Sequence, residues 1–154
     1  AGMVLAAAAL GAQYPIRHVA PIVWPWDTRA DMAKIATEAG ERIGVEASFV
    51  GEEIELFEEF VGPDYGVVTP GCLEAMAVLA RTEGILVDPS YSGKALAGLI
   101  DHIRSGQLDP EEPVVFVHTG GTPALFAYNE VLSEQIAARS LAMPADQPQV
   151  TGGC

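Results

Sequence analysis

Three short stretches of this chain gather groups that could do chemistry. "GILVDPSYSGK", residues 84–94, runs from a buried-strand-like "GILV" into Asp88, Pro89, Ser90, Tyr91 and Ser92, and so sets hydroxyls in a turn ahead of a helix. "VVFVHTGG", residues 114–121, ends a short apolar run on His118, Thr119, Gly120 and Gly121. There two glycines let the backbone approach a ligand, and free amides at a helix start attract an anion. "GPDYG", residues 62–66, puts Tyr65 in a turn. Each stretch also has a plainer reading. Ser90 or Ser92 suits a helix N-cap, paired glycines suit a tight strand-to-helix turn, and Tyr65 suits a tyrosine covering a core edge.

Other chemistries find less support. His18 falls in a strand-like run, His102 on the polar side of a helix and His118 at a strand end, so their spacing makes no site and structural roles are expected for all three. The acidic "GEEIELFEEF" lacks regular oxygen-ligand spacing, and no metal motif appears. "YSGKA" is no Gly-x-Ser-x-Gly elbow, and neither Walker nor Rossmann glycines are present. Cys72 and Cys154 form neither a disulfide framework nor a ligand pattern, which fits a reducing cytoplasm.

The elements that must position these turns alternate. "AGMVLAAAALGA" reads as a buried helix ended at Gly11, and "IRHVAPIVW" as a strand-like run that Pro21 weakens. The opening stretch is apolar and ends in small residues like a signal-peptide core, but it shows no basic segment and is too short to span a bilayer. "DTRADMAKIATEAGERIG" predicts a solvent-facing helix capped by Asp27 or Thr28, with Met32, Ile35 and Ala36 on one face and Gly44 as terminator. The run around Ile54, Leu56, Phe57 and Phe60 fits a strand or a helical turn equally. "TPGCLEAMAVLARTEG" has Thr69 as N-cap and Pro70 at the first helical position, with Leu73, Met76, Ala77 and Ala80 facing inward. From Gly93 on, Leu96, Leu99, Ile100 and Ile103 mark an amphipathic helix. "GILV" and "VVFV" read as buried strands. This order predicts an α/β fold, three-layered with a mainly parallel sheet, over 1–139, and a flexible tail over 140–154. In such folds ligands bind beyond the carboxyl ends of the strands, where the turns of the first paragraph stand. With 154 residues and a net charge of −13, one domain is expected, and nucleic acid or an anionic membrane surface is disfavoured as partner.

Taken in order, "GPDYGVVTPGCLEAMAVLARTEGILVDPSYSGKALAGLIDHIRSG" and "VVFVHTGGTPALFAY" closely resemble the carboxy-terminal part of a pyridoxal-phosphate-dependent family. That family holds D-cysteine desulfhydrase and 1-aminocyclopropane-1-carboxylate deaminase. The likeness covers most of residues 62–128 and, more loosely, the stretch from Ala1. It implies the tryptophan-synthase β-like fold (fold type II), pyridoxal phosphate as cofactor, a small amino acid as substrate and a homo-oligomer. Tyr65 and Tyr91 match the two active-site tyrosines, which in relatives face the substrate and assist proton transfer or carboxylate recognition. Thr119, beside Gly120, falls near the expected position of the pyridine nitrogen, and Ser92 follows Tyr91 where the cyclopropane-opening deaminases carry glutamate. Those deaminases also carry leucine in place of Thr119. A neutral hydroxyl near the ring nitrogen makes a weaker electron sink than a carboxylate does, which suits β-elimination. The resemblance therefore implies a D-cysteine desulfhydrase-like lyase releasing pyruvate, ammonia and sulfide. A 1-aminocyclopropane-1-carboxylate deaminase, and a non-catalytic binding remnant or subunit of a split enzyme, stand as alternatives.

In relatives the Schiff-base lysine and the phosphate loop precede the region matched. Of the two lysines here, Lys34 falls on a polar helix face and Lys94 matches a family lysine that does not bond the cofactor. The expected partner is therefore a lysine-bearing upstream segment or companion chain, with this chain inactive alone.

Overall fold

The computed structural model describes residues 1–134; the expected tail and Cys154 lie outside the described residues. Helix α1 (Gly2–Leu10) ends on Gly11, whose φ of 64° is the left-handed conformation that glycine adopts without penalty. It is less covered than its apolar composition suggests, since Leu5 is buried while Met3 and Leu10 are exposed. Helix α2 (Thr28–Ile43) is capped by Asp27, whose carboxylate accepts from Ala30 N. Its inner face agrees with expectation at Ala36 and at Met32, which packs on the core, but not at Ile35. Ala33, Ala36 and Gly40 are buried, whereas Ile35 is exposed. Small residues bring α1 close: a Cβ on Gly40 would lie 3.2 Å from Leu5 Cδ1.

The described sheet is a parallel pair, β1 (Arg17–Val19) with β2 (Glu55–Phe57), in the register His18↔Leu56. Leu56 alternates inward between the exposed Glu55 and the half-buried Phe57, so the ambiguous acidic run resolves as a 3-10 turn at Gly51–Glu53 followed by this short strand. Ile54, Leu56 and Val61 join Ala20 and Ala33 in one core cluster. A second cluster forms where α3 (Pro70–Glu83) packs on α4 (Ser92–Arg104), and it holds Ala75, Val87, Leu96 and Ala97. Thr69 Oγ1 caps α3 by accepting from Cys72 N, with Pro70 in the first turn. The face of α3 is centred on Cys72 and Ala75 rather than on Leu73, because the small residues admit α4.

Two strand assignments fail among the described residues. "GILV" and "VVFV" form no strand and join no ladder, and Leu86 and Val115 are 53% and 86% exposed. Only Val87 and Phe116 turn inward, onto the second cluster. His102 also departs from its assignment to a polar helix face. It is 2% exposed, with Nδ1 accepting from Arg17 and its ring edge-on to Phe57 and Phe60. No helix among the described residues is long and apolar enough to cross a membrane.

Candidate functional site

The start of α4 is organised by one carboxylate. Asp88 is fully buried, and its Oδ2 accepts from the backbone N–H of Ser90 and of Tyr91, each at 2.8 Å. Its Oδ1 accepts from Ser92 N at 2.8 Å and from Ser92 Oγ at 2.5 Å. A carboxylate facing helix-start amides gains from charge-assisted hydrogen bonds and from the helix dipole. Burial alone raises the Asp88 pKa, but the bonds from Ser92, Tyr91 and Ser90 outweigh it and leave the group below the ordinary carboxylate value. Asp88, which sequence reasoning left among the turn residues, thus holds the turn that leads into α4, whose N-cap position is Tyr91 rather than Ser90 or Ser92. The missed signal was Asp-Pro followed by donors two, three and four residues on.

Glycine makes the approach of this cradle possible. A Cβ on Gly93 would lie 2.5 Å from the Asp88 carbonyl oxygen and 2.7 Å from Cys72 Sγ. Gly121, at φ 92°, lies so close to Asp88 that a Cβ would sit 2.5 Å from its Oδ1. The second glycine of "HTGG" is therefore a packing requirement of the cradle. Gly120 is open, with nothing within 4 Å of where a Cβ would stand. Thr119 is exposed, and its hydroxyl makes no hydrogen bond among the described residues. His118 steadies this turn: Nδ1 accepts from Gly120 N at 3.2 Å, so Nε2 carries the proton and donates to Leu86 O at 3.0 Å.

The two expected tyrosines meet. Tyr65 and Tyr91 join hydroxyl to hydroxyl, with ring centroids 5.9 Å apart and edge-on, and each ring is nearly half exposed. The bond from Tyr91 raises the Tyr65 pKa above the ordinary phenol value. Ser92 and Gly120 also come together, Ser92 Oγ lying 3.3 Å from Gly120 O, although the Ser92 hydroxyl is spent on Asp88. Beneath the Tyr65 turn lies Lys94, fully buried, donating to Val61 O at 2.6 Å and more weakly to Asp64 O at 3.5 Å. Burial lowers its pKa. Lys34 lies on α2, 71% exposed and 4.0 Å from Glu38. Burial pushes the Cys72 thiol up to about 12, so it is an inert packing group.

Tyr128, just beyond helix α5 (Ala124–Ala127), was missed by sequence reasoning. Its hydroxyl donates to Gly66 O at 2.8 Å and meets Ser90 Oγ at 2.9 Å. No group of three or more His, Cys, Asp or Glu among the described residues could hold a metal ion.

Residues 1–120 match the family model described as pyridoxal-phosphate dependent enzyme. Among curated proteins, a 1-aminocyclopropane-1-carboxylate deaminase of Burkholderia cenocepacia is 38% identical over 131 residues, which is 85% of this chain and 39% of the relative. Another from Burkholderia multivorans is 34% identical over 134 residues, covering 87% and 40%. A solved structure described as an ACC deaminase homologue superposes with a TM-score of 0.76 at 28% identity, covering 86% of this chain and 39% of that one. The chain thus spans about two fifths of the length of the relatives it matches.

Proposed function

Because this chain belongs to the pyridoxal-phosphate-dependent enzymes, we propose that it forms the substrate-facing wall of a lyase or deaminase acting on a small amino acid. The hydroxyl pair of Tyr65 and Tyr91 carries the proposal. When one hydroxyl donates to the other, the acceptor keeps its own proton free for a third group. Two half-exposed phenols therefore offer one donor and spare lone pairs to a substrate carboxylate, or to a proton in transit.

The residues fit one side of the cofactor. Thr119 Oγ1 is free to meet a ring nitrogen, and Gly120 leaves room beside it. Neither lysine suits the covalent link: Lys94 is enclosed by carbonyls, and Lys34 stands exposed on α2. An aldehyde-bonding lysine must instead be accessible and activated. When bound, pyridoxal phosphate withdraws electrons from the amino-acid Cα and so acidifies its proton. The lysine then comes from another segment or a companion chain, and the complete enzyme is an oligomer.

As to substrate, Thr119 offers a neutral hydroxyl, and Ser92, its own hydroxyl held by Asp88, puts no carboxylate after Tyr91. That favours β-elimination in the manner of D-cysteine desulfhydrase, in which D-cysteine and one water give pyruvate, ammonia and hydrogen sulfide. Opening of 1-aminocyclopropane-1-carboxylate is the second reading, favoured by the names of the relatives. The test is to supply the complete enzyme assembly with each substrate and measure sulfide and keto acid. Sulfide from D-cysteine supports the first reading, and keto acid from the cyclopropane amino acid alone supports the second. Turnover of neither, with no cofactor retained, would leave a non-catalytic binding role.

A further inference from the structure

Both tyrosine-bearing turns are irregular backbone, yet the hydroxyl pair requires a fixed separation between them. Tyr128 spans the gap. Its hydroxyl donates to the carbonyl of Gly66, the residue after Tyr65, at 2.8 Å. Since that uses its only proton, the 2.9 Å contact makes Ser90 Oγ the donor to Tyr128, and Ser90 is the residue before Tyr91. The chain of hydrogen bonds thus runs Ser90 to Tyr128 to Gly66, one residue from each active-site phenol. A separate observation agrees. Gly66 has φ 74°, and a Cβ there would lie 2.9 Å from the Tyr128 hydroxyl, so the approach requires glycine on both counts.

We infer that Tyr128 is a positioning residue, clamping the Tyr65 turn to the Tyr91 turn and so setting the spacing of the two phenols that meet the substrate. This rests on the reading of Tyr65 and Tyr91 as substrate-facing. Tyr128 does not touch the reacting atoms itself. It acts through the other two, and it reaches them from the segment after "HTGG", so all three turns are tied together.

The experiment is Tyr128→Phe, which keeps the ring and removes the bridging hydroxyl, with Ser90→Ala as a second variant that removes only the other donor. The first readout needs no cofactor: an NMR titration of ring-labelled tyrosines in the full chain, which has four. Wild type is expected to show a Tyr65 phenol above the ordinary range, and both variants a shift back toward it. An unchanged Tyr65 titration in both variants overturns the clamp. In the complete enzyme, Tyr128→Phe should lower kcat on the order of tenfold to a hundredfold with a smaller change in KM, as a displaced catalytic group does. Wild-type kcat in an active assembly would also overturn it. If the titrations shift but no assembly turns over an amino acid, the clamp stands and the lyase reading falls.

Discussion

At the scale of single residues, protonation decides what the site can do. The Tyr65 phenol is favoured in its protonated form by the bond from Tyr91, so its pKa is raised above the ordinary 10.0. The stability it contributes is fully present below pH 10.0 and is lost as pH rises through the raised value. An amino-acid lyase built on this pair should therefore lose activity on the alkaline limb. Tyr65→Phe should alter that limb in a pH–rate profile, whereas Tyr91→Phe should cut turnover across it by roughly a hundredfold, as loss of a positioned proton donor does. Unchanged turnover in Tyr91→Phe would remove its proposed role. Asp88 has the opposite sign. Its pKa is depressed below 3.8, so its contribution is present above that value and is lost as pH falls through the lower one. Asp88→Asn keeps the shape but sets an amide N–H₂ among donors, and a loss of about 3 kcal/mol in urea unfolding is expected. A variant as stable as wild type would show that the cradle is not what holds α4.

Secondary-structure elements show what the sequence could disclose and what it could not. Caps were legible: Asp27, Thr69, Pro70, Gly11 and Gly44 all stand where their chemistry predicts, because capping is settled within a few residues. Family likeness singled out Tyr65 and Tyr91 without foretelling that they pair, and the structure brings their hydroxyls together. Inward faces were harder to read. Ile35 faces out and His102 in, since close helix approach selects Ala33, Ala36, Gly40 and Gly98 over larger side chains. Strand character in "GILV" and "VVFV" rests on partners that sequence does not show, and tertiary ties such as Ser90 to Tyr128 leave no local signature. Glycine substitutions separate tight crossings from loose ones. Gly93→Ala should cost about 1–3 kcal/mol through overlap with the Asp88 carbonyl and Cys72. Gly71→Ala, whose new methyl would have Ala97 Cβ 3.8 Å away as its nearest neighbour, should cost nothing measurable. Equal unfolding midpoints for the two would contradict this account of how α3 meets α4.

For the whole molecule, the decisive fact is where its two lysines lie. Lys94 is in the right neighbourhood, under the Tyr65 turn, but in the wrong state. Its ammonium is out of water and spent on the carbonyls of Val61 and Asp64. To attack an aldehyde it would have to break both bonds and lift the turn that carries Tyr65, undoing the phenol pair it was meant to serve. Burial does lower its pKa, the usual mark of a reactive lysine, but a lowered pKa without access makes no nucleophile. Reduction with borohydride after incubation with pyridoxal phosphate, followed by peptide mapping, should accordingly leave Lys94 unlabelled in the native chain and label it only after denaturation. In the complete enzyme, stoichiometric label should appear on a lysine outside residues 1–154, in another segment or a companion chain. Specific native labelling of Lys94 would reverse the assignment and make the Val61 and Asp64 contacts a resting lock. Label on no chain would remove the lyase and leave the tyrosine wall as a binding surface.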